Sequence, residues 1–224
     1  SRGLIDEGVI GQQRIPYLIL RDGLEDAKKF LDSGCNVVLY SDLGNGKSIL
    51  LRELQTYLSV GSLESYYITD WEGDYVGDID LLAKSGKRIV INIDGYERYL
   101  DLIAHYSASM PSNINIVATE RTAEHERLRS KLKEINFEYN EISVDLLSSG
   151  ESSKLVDIVD NLGLWGEKAG LSHDRKINHI RNKNNSQMSL TLLELFSAPQ
   201  IKDRISKIFD RILEEKDVKD TVFA

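Results

Sequence analysis

The chain has 224 residues, 41% hydrophobic and 29% charged, with a net charge of −8. That composition fits a globular chain long enough for a real core; no apolar run reaches the length of a membrane span, and a single cysteine excludes an internal disulfide. The acidic balance argues against direct nucleic-acid binding, and the lone Cys35 suits a reducing, cytoplasmic compartment.

The N-terminus, Ser1-Arg2-Gly3-Leu4-Ile5, is no signal peptide and lacks an initiator Met. With an end at Thr221-Val222-Phe223-Ala224, this points to a segment of a larger multidomain protein. Residues 1–22 read as an N-terminal arm with short extended pieces such as Tyr17-Leu18-Ile19-Leu20. Leu24, Ala27, Phe30 and Leu31 then recur at helical spacing, and Gly34 is placed to stop that helix. Residues 35–40 form an apolar first strand. It leads into Ser41-Asp42-Leu43-Gly44-Asn45-Gly46-Lys47-Ser48-Ile49 and a helix running to about Leu58.

That strand–loop–helix stretch has the shape of a phosphate-binding loop. Such a loop needs backbone N–H groups aimed at phosphate oxygens, with a helix N-terminus behind them. Gly44 and Gly46 permit the backbone angles and close approach this takes. Leu43 to Ile49, with Asn45 among them, would wrap the phosphates. Lys47 would reach the β- and γ-phosphates, and Ser48 would sit on Mg²⁺. The pattern G-x-x-x-x-G-K-[ST] is met except at its first glycine, where Ser41 stands. The competing interpretation is a glycine-containing turn that leaves Lys47 merely exposed.

Further on, residues 65–69 read as a second strand, β-branched and aromatic. The acidic stretch Asp70-Trp71-Glu72-Gly73-Asp74 lacks the glycine and glutamate of a calcium loop and reads as a solvated loop. A short helix is expected near residues 79–83, closed by Gly86. Residues 88–94 are almost continuously apolar, as a parallel strand covered on both faces should be. A helix over 96–106, a strand over 113–119, a helix over 122–133 and a strand over 137–144 follow. Strands alternating with helices predict a parallel, doubly wound α/β sheet of about five strands. From about Leu146 the pattern turns helical, over 151–162, 173–181, 188–196 and 201–213. The expected organisation is an arm over 1–22, an α/β core over 23–146 and a helical lid over 147–224. Arg175-Lys176 and Arg181-Asn182-Lys183 form a local basic patch, best explained as a solvated helix face.

In such sheets the ligand lies beyond the C-terminal strand ends, so the residues there carry the candidate chemistry. Asp94 ends the third strand and would hold Mg²⁺ opposite Ser48; its alternative is a cap on the next helix. Glu97 would orient or deprotonate an attacking water, or is a first-turn acid favoured by the helix dipole. Thr119-Glu120-Arg121 ends the fourth strand. There Thr119 and Arg121 would face a γ-phosphate, Arg121 distinguishing ATP from ADP. The alternative for Arg121 is a salt bridge to Glu97 or Glu124.

Together these residues resemble the AAA+-related STAND ATPases, signal-transduction ATPases with numerous domains. Ser41 to Ser48 resembles their Walker A loop. Ile91-Asn92-Ile93-Asp94-Gly95-Tyr96-Glu97 is similar to their Walker B strand, and Thr119-Glu120-Arg121 to their sensor. Leu20-Arg21-Asp22-Gly23-Leu24-Glu25 looks like a degraded form of the run that lines the adenine pocket, which implies a nucleotide contact for Arg21. Gly95, a small residue after Asp94 with Glu97 three on from that Asp, fits the STAND form and differs from that of the AAA+ unfoldases, which place Glu there. Ser41 and the lid run depart from the family pattern: Asn184-Asn185-Ser186-Gln187-Met188-Ser189-Leu190 lacks the Gly-x-Pro of the family lid. The resemblance implies a Mg-ATP-binding switch with slow hydrolysis. It would bind ATP or ADP and control the conformation or homo-oligomerisation of a larger bacterial signalling or antiviral-defence protein, linked to effector and sensor domains. The alternatives are a degenerate nucleotide-binding fold acting as a scaffold and an AAA+ remodelling ATPase.

Overall fold

The structure is a computed structural model that describes residues 18–61, 63–69, 73–197, 199, 202, 203 and 206. Most of the N-terminal arm, the start of the acidic loop and most of the helix expected over 201–213 lie outside the described residues. Residue contacts divide the chain into two units, Ser1–Glu151 and Ser152–Ala224.

Among the described residues the first element of the first unit is α1 (Gly23–Asp32), whose Leu24, Ala27 and Leu31 are buried at the predicted spacing. Gly34, at φ 76°, ends the turn after it. Then come β1 (Val37–Ser41), α2 (Lys47–Val60), β2 (Glu64–Tyr67), α3 (Tyr75–Ala83), β3 (Ile89–Asp94), α4 (Leu100–Ser109), β4 (Ile114–Arg121), α5 (Thr122–Glu134) and β5 (Asn140–Ser143). All pairings are parallel, in the order β2-β3-β4-β1-β5. Chain order therefore reverses at β1, and the step from β1 to β2 runs opposite to the later ones. With right-handed crossovers, the helix after β1 covers one face and those after β2, β3 and β4 cover the other.

The core follows that division. Val37 and Leu39 of β1, Val90 of β3 and Val117 of β4 pack with Leu24, Leu31, Leu50, Leu51 and Leu54 of α1 and α2. Val38, Ile89, Ile91, Ile93, Ile116 and Ala118 pack with Ile79, Leu102, Ile103, Leu128 and Leu132 of α3, α4 and α5. Alternate residues of the strands thus feed opposite layers, which makes their sequences almost continuously apolar.

Several elements differ from the sequence expectation, among them α3, which already starts at Tyr75, and β2, which ends at Tyr67. The helix expected from residue 96 begins as a 3-10 turn, Tyr96–Tyr99, because Gly95 leaves β3 at φ 75°. β4 runs on to Arg121, whose register partner is Ser41 of β1. β5 pairs only over Asn140–Ser143, while Phe137 is buried among the α4- and α5-side residues instead.

The second unit is helical in its described residues: most of α6 (Ser149–Asn161), then α7 (His173–Lys183) and α8 (Met188–Ser197). Val156, Val159, Trp165, Ile180 and Leu195 are buried there. Lys176 is buried too, paired with Asp160 at 2.5 Å and lying 5.5 Å from the Trp165 ring, so it leaves the basic patch to Arg175, Arg181 and Lys183. Glu194 accepts from Lys168, His179 and Asn184. Burial pushes its carboxyl up, but those bonds outweigh it and bring the pKa down to about 2. The run after α7 makes a turn without Gly or Pro, with Asn185 at φ 51° and Ser186 at φ 58°. Among the described residues no helix is long and apolar enough to cross a membrane.

Candidate functional site

β1, β3 and β4 end side by side, with the sequence candidates Asp94 at the end of β3 and Thr119 and Arg121 in the last three residues of β4. Asp94 lies in register with Thr119, and Ser41 with Arg121. The loop after β1 turns through two left-handed glycines, Gly44 at φ 84° and Gly46 at φ 92°. A β-carbon at either would strain the backbone. Gly46 is also the N-cap of α2. It offers no side chain to the first-turn N–H groups, and that turn holds no acidic residue. The helix thus starts with its positive dipole end and orphan donors uncapped by side chains. Ser48, Ile49 and Leu43 are exposed around this start, and Asn45 is fully buried beneath it.

Lys47 bends back over the loop. Its ammonium donates to the carbonyls of Ser41 and Asp42 and, at 3.1 Å, to the Ser41 hydroxyl. The serine at the first glycine position is therefore a partner of the lysine. Burial lowers the Lys47 pKa, Asp145, Asp94 and Glu120 pull it back up, and Arg121 adds to the lowering.

The Asp94 carboxylate accepts from the Thr119 hydroxyl at 2.5 Å and from the Tyr67 hydroxyl at 3.3 Å. Burial first, then the charge of Asp94, push the Tyr67 phenol up to about 12, so it stays protonated and donating. The Gly95 N–H donates to the Thr119 carbonyl at 3.1 Å, locking the turn after β3 to β4. Glu120 is buried and accepts from the N–H groups of Glu97 and Arg121. The Glu97 carboxylate meets Arg127 at 2.6 Å, and Arg127 also holds Glu124. Both partners considered for Arg121 are thus engaged elsewhere. The Arg121 side chain is exposed and has no hydrogen bond or ion pair among the described residues.

Arg21 lies behind the loop, 5% exposed. It donates to the Asn45 carbonyl at 2.6 Å, to the Val144 and Leu146 carbonyls, and to Glu151 at 2.9 Å. Glu151 also accepts from the Asp22 N–H and, through its other oxygen, from the Ser148 N–H, closing a capping box at the start of α6. Sequence reasoning missed Glu151, Tyr67 and Asp145. The last accepts from the Asp42 N–H at 2.6 Å, the Asn45 amide at 3.1 Å and the Thr122 hydroxyl at 3.1 Å. Its signal was available: Asp94 is an acid that ends β3, and Asp145 is an acid two residues past the end of β5. Among the described residues no cluster of three or more His, Cys, Asp or Glu could hold a metal by itself.

No protein-family profile matches the sequence, and no curated protein does. Solved structures do match. A Saccharomyces cerevisiae Hsp104–casein complex in its extended conformation aligns at TM-score 0.58 and 13% identity, over 89% of this chain and 40% of that one. A closed-state Hsp104 with ATPγS and casein aligns at TM-score 0.59 and 11% identity, over 86% and 39%. An S. cerevisiae Hsp104–ADP complex gives TM-score 0.52 and 11% identity, over 80% and 36%. The likeness is one of fold, an α/β architecture built on a five-stranded parallel sheet. The chain spans about two fifths of the length of these structures.

Proposed function

We propose that this chain is a Mg-ATP-binding module that works as a switch, with nucleotide occupancy as its main event and slow hydrolysis as its reset. The observation carrying this is the uncapped α2 start behind two left-handed glycines, with Lys47 over the loop and Asp94, Thr119 and Arg121 on the adjoining strands. Loop N–H groups and Lys47 would hold the β- and γ-phosphates. Ser48 and Asp94 would hold Mg²⁺ together with phosphate oxygens and waters, the ligand set this ion favours. The ion would neutralise phosphate charge. Arg121, whose guanidinium has no hydrogen bond or ion pair among the described residues, would report the γ-phosphate. Glu97 would serve a water once Arg127 released it.

Gly95 supports the emphasis on occupancy. Apart from its chain neighbours, nothing lies within 4 Å of where a β-carbon would sit, but φ is 75°. A glutamate at that position would meet backbone strain rather than a steric block. The STAND likeness extends the reading to a module of a signalling or antiviral-defence protein, joined to effector and sensor domains, with the helical part acting as a lid. The likeness to Hsp104 favours a second reading, an AAA+ remodelling ATPase. A ring in which a neighbour's arginine reaches the nucleotide would select it.

Calorimetric titration with ATP tests the proposal. Binding is expected at micromolar concentrations, to depend on Mg²⁺, and to weaken at least 100-fold in Lys47→Ala, about 2.7 kcal/mol. Equal binding by that variant and the parent would refute it. A parent that binds no nucleotide would leave the scaffold alternative.

A further inference from the structure

We infer that Asp145 is the positioning residue of the phosphate loop, holding it in its receptive shape and tying it to the turn that carries Arg121. The inference rests on the nucleotide-binding reading above and adds a residue to it. Asp145 follows β5, the strand on the far side of β1 from β4. One carboxylate oxygen takes two donors from the loop, the Asp42 N–H at 2.6 Å and the Asn45 side-chain amide at 3.1 Å. The Asp42 N–H is the first donor beyond β1. Anchoring it fixes where the loop leaves the sheet.

Asn45 lies between the two left-handed glycines and is fully buried. Its side chain is held by Asp145 and its carbonyl by Arg21. These bonds fix the middle of the loop from behind, leaving its exposed side for a ligand. A charged acceptor makes them stronger than a neutral one would.

The other carboxylate oxygen takes the Thr122 hydroxyl at 3.1 Å. Thr122 is the first residue of α5 and directly follows Arg121. One side chain therefore bridges the phosphate loop and the β4–α5 turn, and displacement of either strains the same carboxylate. Loop and arginine should respond to a ligand together. Asp145 also supplies the largest favourable charge on the Lys47 ammonium, but no bond joins the two among the described residues. Its role is therefore on the loop backbone and on Asn45.

The test is titration of the 224-residue chain and its variants with Mg-ADP and a non-hydrolysable Mg-ATP analogue, well below each melting temperature. Asp145→Ala is expected to weaken ADP at least 10-fold. Asp145→Asn, which keeps one acceptor oxygen for the loop and presents an amide to Thr122, should recover to within about fivefold of the parent. Arg121→Ala should lower the preference for the ATP analogue over ADP about 10-fold in the parent and less than threefold in Asp145→Ala. ADP affinity in Asp145→Ala within twofold of the parent overturns the positioning role. An equal Arg121→Ala effect in both backgrounds overturns the tie to Arg121. Should Asp145→Ala fail to fold, Asp145→Asn decides: a loss of 10-fold or more there means that charge, not positioning, is what matters, and overturns the inference. A parent that binds neither nucleotide removes the underlying reading as well. A parent that binds while Asp145→Ala binds equally removes the inference alone.

Discussion

Arg21 joins three segments through one guanidinium: the loop at Asn45, the stretch after β5 at Val144 and Leu146, and the first turn of α6 at Glu151. Its side chain and that of Glu151 are 4% and 3% exposed. Removing one member of such a pair leaves a buried charge without its partner, which costs about 3–5 kcal/mol. Arg21→Ala should therefore unfold at distinctly lower urea, by that amount of free energy. Glu151→Gln should lose less, because the amide oxygen still accepts from the Asp22 or Ser148 N–H. Equal losses in the two variants would show that the charge alone matters and the fork of donors does not. The sequence resemblance implied a nucleotide contact for Arg21; the bonds present reach the loop through its backbone. Nothing in the local run Leu20-Arg21-Asp22-Gly23 announces Glu151, which lies 130 residues away.

At the scale of elements, the legible features were those set by local pattern. The apolar continuity of β3 and β4 and the glycine spacing of the loop lead to Asp94 at the end of β3, Thr119 in register beside it on β4, and Lys47 at the start of α2. Features set by register between distant strands were not legible. β4 extends to Arg121 because β1 extends to Ser41 beside it, and Asp145 matters because β5 ends next to the loop. α5 shows the same limit in a different way. Its charged residues mark a solvated helix, yet His125 on it is fully buried, stacked on Tyr40 at 4.8 Å, with Nδ1 2.8 Å from the Tyr96 hydroxyl. Tyr139, Glu141, Arg129 and Glu126 complete its surroundings. Burial lowers its pKa; Glu141 opposes that, and Arg129 adds to it. A base whose folded pKa lies below its unfolded value is protonated more readily when unfolded. Its stabilising share is complete above the unfolded value of about 6.5 and is lost as pH falls toward and through the folded pKa. One such group gives a slope of at most about 1.4 kcal/mol per pH unit. Urea unfolding measured between pH 7.5 and 5 should show this acid-side loss, and His125→Phe should flatten it while lowering stability at pH 7.5 by about 1–3 kcal/mol, since the buried Tyr96 hydroxyl loses its partner. An unchanged acid slope in that variant would place the proton uptake elsewhere.

For the whole molecule, the question is whether the loop is a working site or a remnant kept for its fold, and linkage separates the two. A ligand that binds only the folded chain adds RT ln(1 + [L]/Kd) to its stability, about 2.7 kcal/mol at 100 times Kd. For a chain of this size each kcal/mol moves the melting temperature by about 2–4 °C. Mg-ATP at that excess should therefore raise the transition by about 5–10 °C, and Lys47→Ala, weakened 100-fold or more, should shift by no more than about 1–2 °C at the same concentration. The α/β unit carries the candidate residues and the helical unit carries none of them, so the two make different predictions in the same scan. If the second unit acts as a lid, its transition moves with that of the first when ATP is added. If it is an independent appendage, a separate transition stays where it was while the first moves. A scan with no shift in either transition is the result that a scaffold would give, and it would leave the glycine loop as a structural turn whose lysine serves only to bridge the Ser41 and Asp42 carbonyls.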